Sequence, residues 1–157
     1  MIKVAPNNYH LDIIDKEIIQ MLMHSNKTSI QVISNKIGIS VTASYLRINK
    51  LEKAGVIVNS FTVLDPKKIG YDVISYIGVF LDQHSRYSDF ISSLQDINEI
   101  LEAHYTTGIY NFFLKVTCKD NNHLMLVLRK LHDLKEVART ETFVSLEQSI
   151  NRQLKIF

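Results

Sequence analysis

The feature that most constrains the fold of this chain is a pair of short predicted helices joined by a tight turn. Thr28 is predicted to cap the first helix, with Gln31 completing a capping box. Gly38 can take the left-handed geometry that ends a helix, and Ser40 offers a second cap two residues later. The spacing therefore predicts a helix-turn-helix whose second helix spans 41–54.

The second helix of this motif carries polar side chains away from its apolar face. Such side chains can read base edges or contact phosphates in a DNA groove, and Ser40 caps the helix where exposed amides favour a phosphate. The base-reading candidates are Thr42, Ala43, Tyr45, Leu46 and Asn49, and the phosphate-contacting candidates are Arg47 and Lys50. Tyr45 and Leu46 are either contacts to thymine methyl groups or ordinary exposed apolar residues. A capped helix pair also occurs in domains that bind no DNA, so spacing alone leaves both interpretations open.

The charge of the chain is distributed unevenly. The 157 residues are 46% hydrophobic and 22% charged, which indicates one globular domain or two small ones, and the net charge is only +2. Residues 1–70 carry nine Lys and Arg against five Asp and Glu, whereas residues 71–157 carry nine against eleven. The basic excess therefore lies with the helix-turn-helix, which favours double-stranded DNA as a partner.

Several other functions find no support in the sequence. No apolar run is long enough to span a membrane and residues 1–8 lack the apolar core of a signal peptide, which predicts a cytoplasmic protein. Cys118 lies in an apolar run and is predicted to be a small core residue. The histidines, among them His84, His104, His123 and His132, show no metal-ligand spacing, and no phosphate loop or nucleophile motif occurs. We therefore expect no metal, no cofactor and no catalytic residue.

A further helix is predicted before the motif and a wing after it. Asp12 can cap this predicted helix, with Asp15 three residues later, and an apolar stripe follows. The segment 56–64 is rich in β-branched residues and predicts a wing of two short strands. Gly70 follows an Asp-Pro pair and predicts a domain boundary.

Beyond Gly70 the hydrophobic period changes from helical to strand-like. The elements follow the order β-α-β-β-α-β, which predicts a ferredoxin-like antiparallel sheet with both helices on one face. The predicted strands are 73–81, 100–106, 110–118 and 137–146; the predicted helices are 122–131 and one that carries Phe90, Leu94 and Ile97. The whole chain is thus predicted to be an α+β protein, with a winged helix-turn-helix at 11–70 and a ferredoxin-like βαββαβ domain at 71–157.

The first strand of that domain is apolar on both faces. Ile74, Tyr76 and Phe80 alternate with Val73, Ile77, Val79 and Leu81. A large exposed apolar surface is unusual on a monomer, so a second copy of the chain is expected to cover it. The strands 73–81 and 110–118 are therefore predicted to form the core of a dimer.

Several short motifs, in collinear order over nearly the whole chain, resemble those of a known family. They are Leu11-Asp12-Ile13-Ile14-Asp15, Gly38-Ile39-Ser40, Arg47-Ile48, Leu51-Glu52, Gly55-Val56-Ile57, Gly70-Tyr71-Asp72 and Tyr105-Thr106-Thr107-Gly108-Ile109-Tyr110. On these motifs the chain resembles the Lrp/AsnC, or feast/famine, transcriptional regulators of bacteria and archaea. The Tyr-Thr-Thr-Gly form of the last motif is most similar to the asparagine-responsive branch.

The resemblance implies a DNA-binding transcriptional regulator whose second domain dimerises and binds a small amino acid, with asparagine favoured. It also implies that dimers assemble further, commonly into octamers, with effectors bound between dimers. Backbone groups and hydroxyls around a glycine turn can bind both ends of an amino acid. The effector-binding candidates are Thr106, Thr107, Gly108, Ile109, Tyr110 and Asn111, with Thr140, Glu141 and Thr142 of a neighbouring dimer; Glu141 is the candidate partner for the ammonium group.

Three residues depart from the family pattern. Ser34 and Ser44 stand at inward-facing positions where the family usually has apolar residues, so their hydroxyls are expected to bond to backbone carbonyls or to each other. Asn111 stands where many relatives have Asp, which changes how an effector's amino group would be recognised. Two alternatives remain: an enzyme similar to the sirohaem decarboxylases, which resemble the same architecture, and a structural protein or corepressor without DNA affinity.

Overall fold

The computed structural model describes residues 9–25, 27–60 and 62–155. The described residues form two compact units, one with residues 9–63 and 151–155 and the other with residues 64–150. Gly70, the predicted boundary between the domains, lies inside the second unit, because that unit begins at residue 64 and not at residue 71. Residues 1–8, which are predicted not to form a signal peptide, lie outside the described residues.

The first unit begins with helix α1, Ile13–His24. Its start confirms the predicted capping box: the Asp15 amide donates to Asp12 Oδ1 at 2.7 Å, and the Asp12 amide donates to Asp15 Oδ2 at 3.4 Å. These two bonds satisfy backbone donors that have no partner within the helix. The two carboxylates are therefore held side by side at one helix end.

Helices α2, Ile30–Ile37, and α3, Val41–Lys53, form the helix-turn-helix. The predicted cap at Thr28 is wrong, because α2 begins one residue later and the Val32 amide donates to Ser29 Oγ at 3.3 Å. The Thr28 capping box with Gln31 is consequently absent. Gly38 has φ 77° and ends α2 as predicted, and Ser40 caps α3 by accepting from the Ala43 amide at 3.1 Å.

The three helices meet around an apolar core that includes Ile18, Ile33 and Leu51. Ser34 and Ser44 are also buried in this unit, and they differ in their hydrogen bonding. Ser34 Oγ donates to the Gln31 carbonyl at 2.9 Å, as expected. Ser44 Oγ has no hydrogen-bond partner among the described residues, so that expectation is wrong for Ser44.

Ser44→Ala is expected to raise the free energy of unfolding by about 1 kcal/mol, because it removes an unsatisfied buried hydroxyl and improves helix propensity. Ser34→Ala is the matched control. It loses a hydrogen bond while gaining the same propensity, so its change should stay below about 1 kcal/mol in either direction. Urea denaturation measures both variants. A marked loss of stability in Ser44→Ala would show that the hydroxyl has a partner in solution.

The predicted pair of wing strands is not formed in the described part of 56–64. Val56 and Ile57 pack against the helical core, whereas Val58 and Val63 are largely exposed. β-branched residues favour the strand conformation, but a strand also needs a second strand to pair with. Composition does not specify that partner. Phe61 lies outside the described residues.

The second unit contains a short 3-10 helix, Lys67–Ile69, and then the predicted β-α-β-β-α-β order. Its elements are β1 Val73–Leu81, α4 Tyr87–Leu94, β2 Ile100–Tyr105, β3 Phe112–Cys118, α5 Asn121–His132 and β4 Val137–Val144. The sheet has the order β2-β3-β1-β4 and is antiparallel throughout. The ferredoxin-like fold is therefore confirmed, with only small shifts at the ends of elements.

The sheet buries one face against both helices of this unit. Ile77 and Val79 of β1 and alternate residues of β3 from Phe112 onward pack with Phe90 of α4 and Val127 of α5. This core belongs to a single chain, so half of the residues predicted for a dimer core lie inside the protomer instead. Alternation along strands explains the difference, because only every second residue reaches the other face.

The other sheet face, called the open face here, carries Tyr76, Phe80, Phe113 and Phe143. Tyr76 stacks on Phe113 with ring centroids 5.8 Å apart, and Phe113 lies 6.4 Å from Phe143.

Cys118 is fully buried on the helix side, and burial raises the pKa of its thiol to about 11, which agrees with a core role. None of the helices in the described parts of the chain is long and apolar enough to cross a bilayer.

Candidate functional site

The residues predicted to contact DNA lie along helix α3 and just before it. Ser40, Thr42, Tyr45, Leu46 and Lys50 are exposed, whereas Ala43, Arg47 and Asn49 are half-buried. Tyr45 and Leu46 expose 52% and 61% of their surface, which is high for apolar residues on a helix that packs against two others. The exposed side of α3 is thus mixed in character, with hydroxyl, apolar and cationic groups available together.

Arg47 is engaged inside its own unit. Its Nη1 atom lies 2.6 Å from Asp12 Oδ2 and 2.7 Å from Asp15 Oδ1. The hydrogen bond from the Asp15 amide and the Arg47 guanidinium hold the pKa of Asp12 below its ordinary value. The pair of carboxylates in turn raises the pKa of Arg47. Arg47, predicted to contact phosphate, therefore joins α3 to the start of α1 in this structure.

Lys50 has a different environment from Arg47. Its ammonium group lies 5.6 Å from the centre of the Tyr9 ring, a cation-π distance, and the side chain is exposed. The first turn of α3 contains no acidic residue, and its last turn contains Lys50 and Lys53. A phosphate approaching the first turn of α3 therefore meets helix-end amides without repulsion from an acidic residue of that turn.

The loop 106–111 connects β2 to β3 and is held by bonds at its base. Thr106 Oγ1 donates to the Tyr110 carbonyl at 2.5 Å, and the Thr106 amide donates to the Asn111 carbonyl at 3.1 Å. Thr107, Gly108 and Ile109 are exposed at the tip. Gly108 is not among the glycines with positive φ, and a Cβ added there would meet nothing, so the turn does not require glycine.

Asn111 ties this loop to the neighbouring strand. The Asn111 Oδ1 atom accepts from the Leu81 amide at 2.9 Å, and the Asn111 backbone amide donates to the Val79 carbonyl at 2.9 Å. The side-chain oxygen is thus used for holding β1. The side-chain Nδ2 group of Asn111 can donate to an effector, and Oδ1 has a second lone pair that can accept from one.

Tyr110 connects the loop to the open face. Its ring lies over Gly78, where an added Cβ would overlap the ring, and its hydroxyl donates to Glu141 Oε2 at 2.7 Å. Arg139 Nη2 lies 3.2 Å from the other Glu141 oxygen, and the Arg139 guanidinium lies 4.0 Å from the Phe80 ring centre. The bond to Glu141 raises the pKa of Tyr110. Aromatic, cationic and anionic groups therefore meet beside the loop.

The three candidates on β4 do not share one surface. Glu141 pairs in register with Gly78 and faces Tyr110, whereas Thr140 and Thr142 pair with Val79 and Ile77 and lie on the helix side of the sheet. Thr140 Oγ1 is bonded there to His132 Nε2 at 2.8 Å. Within one chain, alternation therefore leaves only Glu141 on the face of Tyr110, and a shared pocket of the three residues with a neighbouring dimer stays a prediction.

Sequence reasoning missed Gly78 and Arg139 beside the loop, and Asp12 and Asp15 as partners of Arg47. One signal was present, since a glycine inside an apolar strand indicates close approach by another group. The other contacts join residues far apart in sequence, so no local pattern indicates them. Across the described ranges, no group of three His, Cys, Asp or Glu residues could hold a metal ion.

Comparison with known proteins agrees with this architecture. A winged helix-turn-helix DNA-binding model matches residues 11–58, and the Lrp/AsnC ligand binding domain matches residues 74–154. The regulatory protein AsnC of Escherichia coli is 34% identical over 149 residues, which cover 94% of this chain and 98% of the relative. The Haemophilus influenzae protein of the same name is 32% identical over 148 residues, covering 94% of this chain and 99% of that relative.

The solved structure of E. coli AsnC superposes with a TM-score of 0.87 at 31% identity, covering 93% of this chain and 99% of that one. Both units are matched in their order, so the likeness is not confined to the DNA-binding motif. On the two domain matches and these full-length relatives, the chain belongs to the Lrp/AsnC family of DNA-binding transcriptional regulators.

Proposed function

We propose that this regulator binds double-stranded DNA through the exposed side of α3 and responds to a small amino acid, asparagine most readily, at the loop 106–111. The observation that carries the DNA contact is the division of α3, whose apolar side builds the core while Thr42, Tyr45 and Lys50 remain accessible. The full-length similarity to AsnC proteins and the Tyr-Thr-Thr-Gly motif support the effector. We propose no enzymatic activity and a cytoplasmic location, where the regulator meets its DNA.

A gel shift with the DNA flanking the protein's own gene tests DNA binding directly. A retarded band that survives excess random DNA is expected, and its absence would favour a corepressor without DNA affinity. The sirohaem decarboxylase alternative has a separate test, because mixing with sirohaem would change the absorbance of the tetrapyrrole if the protein bound it. We expect the spectrum to stay that of free sirohaem.

Lys50→Ala and Asn49→Ala are expected to weaken DNA binding in different ways. Each phosphate neutralised contributes about −0.9 to the slope of log affinity against log salt, so Lys50→Ala should flatten that slope by about one unit on every sequence. Asn49→Ala should cost about 1–3 kcal/mol on the preferred site and little on random DNA. Fluorescence anisotropy across a salt series measures both. If Lys50→Ala changes neither slope nor affinity, α3 is not the docking helix.

Gly108→Val is expected to abolish asparagine binding while leaving the fold intact. A valine at the loop tip would occupy the space offered to a ligand, yet an added Cβ meets nothing in the protein and the backbone there needs no positive φ. Isothermal titration of both proteins with asparagine measures the effect, and thermal melting provides the control for folding. Equal heats from the two proteins, or no heat from the wild type, would refute this site.

Within this site we assign the effector's ammonium group to Glu141. The carboxylate lies on the same face as Tyr110 and already contacts it within one chain, so this role does not depend on a neighbouring dimer for its placement. Thr140 and Thr142 face the helices and are left out of the proposed pocket. The loop residues Thr106, Thr107 and Ile109 supply the remaining backbone and hydroxyl groups.

We also propose that two chains dimerise through their open faces and that dimers assemble further, as the family commonly does into octamers. The support is the aromatic surface of Tyr76, Phe80, Phe113 and Phe143, where Phe143 exposes 48% of its area. Burial of such a surface is favourable at about 25 cal/mol per Å². Paired α3 helices should then reach half-sites about 34 Å, or a multiple of that distance, apart.

A further inference from the structure

A hollow of about 520 Å³ lies within the second unit, away from the loop 106–111. It forms where the segment before β1 packs over the start of β2 and the end of β3. Pro66, Ile69, Tyr71 and Leu101 supply apolar walls. The loop 106–111 joins the opposite ends of β2 and β3, so the hollow and the proposed effector site are separate features.

Two buried oxygens of the residues that line this hollow have no hydrogen-bond partner among the described residues. They are Glu99 Oε2 and Thr117 Oγ1, whose residues adjoin each other because the Thr117 amide donates to the Glu99 carbonyl at 2.9 Å. The Glu99 side chain is only 15% exposed, and Thr117 is 7% exposed. Leaving such groups unsatisfied is unfavourable, which makes this place receptive to a hydrogen-bond donor.

The contacts of the other carboxylate oxygen of Glu99, Oε1, favour the ionised form of this residue. The Lys119 amide donates to His123 Nδ1 at 3.2 Å, so the proton of a neutral His123 ring lies on Nε2, which donates to Glu99 Oε1 at 2.9 Å. Lys130 Nζ lies 3.6 Å from the same oxygen. Burial raises the pKa of Glu99, but the His123 bond and the Lys130 charge outweigh it, so the pKa lies below its ordinary value. Glu99 is therefore an anion with one oxygen satisfied.

The residue types around the hollow identify the ligand class. A buried anion and a hydroxyl suit a cationic donor, and the apolar walls suit a hydrocarbon or aromatic substituent. The residues that line the hollow include no Lys, Arg or His that would pair with a carboxylate. We propose that this hollow binds a small organic amine with an apolar substituent, whose ammonium group donates to Glu99 Oε2 and Thr117 Oγ1. A plain amine is thus preferred over the corresponding amino acid.

Phenethylamine is the probe for this site, compared with phenethyl alcohol, which lacks the charge, and phenylalanine, which adds a carboxylate. Isothermal titration of the full chain at neutral pH should show binding of phenethylamine. Phenethyl alcohol should bind at least about tenfold more weakly because a charged hydrogen bond is lost. Binding of phenylalanine should be weakened to the same extent because its carboxylate has no partner. Gly108→Val should bind the amine as the wild type does, because its substitution lies at the other site.

Glu99→Gln keeps the acceptor for His123 but removes the charge, and it should weaken amine binding about tenfold or more. Glu102→Gln is the matched control, since Glu102 is an exposed carboxylate three residues further along the chain, on β2. It bonds to Lys115 at 2.8 Å and does not line the hollow. Its amine affinity should not change.

Thr117→Val is expected to change amine binding and stability in opposite directions. Loss of the hydroxyl should weaken amine binding several-fold, while the unliganded protein should melt at a higher temperature because an unsatisfied buried group is gone. No amine binding by the wild type, equal binding of amine and phenylalanine, or unchanged affinity in both Glu99→Gln and Thr117→Val would overturn the proposal. A lower melting temperature for Thr117→Val would show that the hydroxyl is already satisfied and would also overturn it.

Discussion

Val79→Asp is expected to unfold the second unit. Val79 is fully buried in β1, opposite Phe112 of β3 and Thr140 of β4, and its side chain lies in the core beneath the helices. A carboxylate there has no cationic partner within the core cluster, so the loss should exceed about 3 kcal/mol, a large part of the stability of a small domain. Circular dichroism during thermal melting and light scattering measure fold and assembly together.

Tyr76→Asp is the control for this substitution, because Tyr76 lies three positions away on the open face, stacked on Phe113. It should leave the protomer folded and shift the oligomer toward smaller species, since it places a charge in the proposed dimer surface. A Val79→Asp protein that remains folded with an unaltered oligomer would contradict the register of β1. Loss of folding in both variants would indicate that protomer and dimer fold together.

Arg47→Met is expected to destabilise the helix-turn-helix unit by about 2–4 kcal/mol, somewhat less than a fully buried pair would lose, because one third of the Arg47 side chain is exposed. The substitution keeps the aliphatic volume but leaves Asp15, whose side chain is 8% exposed, without its cation. Asp12 loses the same partner at 2.6 Å. Chemical denaturation measures the loss, and DNA affinity should fall because α3 is no longer anchored to α1.

Lys50→Ala separates anchoring from phosphate contact, since Lys50 is on the same helix but its change should alter DNA affinity and not stability. The double variant with Asp15→Asn should recover much of the stability lost in Arg47→Met, because no buried charge then lacks a partner. If Arg47→Met were as stable as the wild type and only weakened DNA binding, the sequence-based assignment to phosphate would be correct.

The pH dependence of unfolding should change in the same variant. The pKa of Asp12 is lowered in the folded state, so its stabilising contribution is present above the unfolded-state value near 3.8 and is lost as the pH falls through the lower folded value. Removing Arg47 should raise that folded value toward the unfolded one. Acid unfolding of Arg47→Met should therefore depend less steeply on pH in this range.

Local patterns in the sequence were sufficient for the order of elements and the turn chemistry. Gly38 and Ser40 have the geometry predicted for them because backbone conformation and capping depend on residues a few positions apart. The same reasoning misplaced the cap of α2 by one residue, since Thr28 and Ser29 are both competent caps and adjacent. It also predicted wing strands at 56–64, where β-branched residues occur without a partner strand in the described part.

Periodicity along the chain specified both sheet faces as apolar and so pointed to a partner, but it could not say which face the helices would cover. Packing decided that Val79 belongs to the protomer core and Tyr76 to the open face. Packing also brought Arg47 to two carboxylates 35 and 32 residues away, and Glu141 to Tyr110 across 31 residues. Contacts of this kind depend on how helices and strands meet, and a local period carries no information about which distant residue will be the partner.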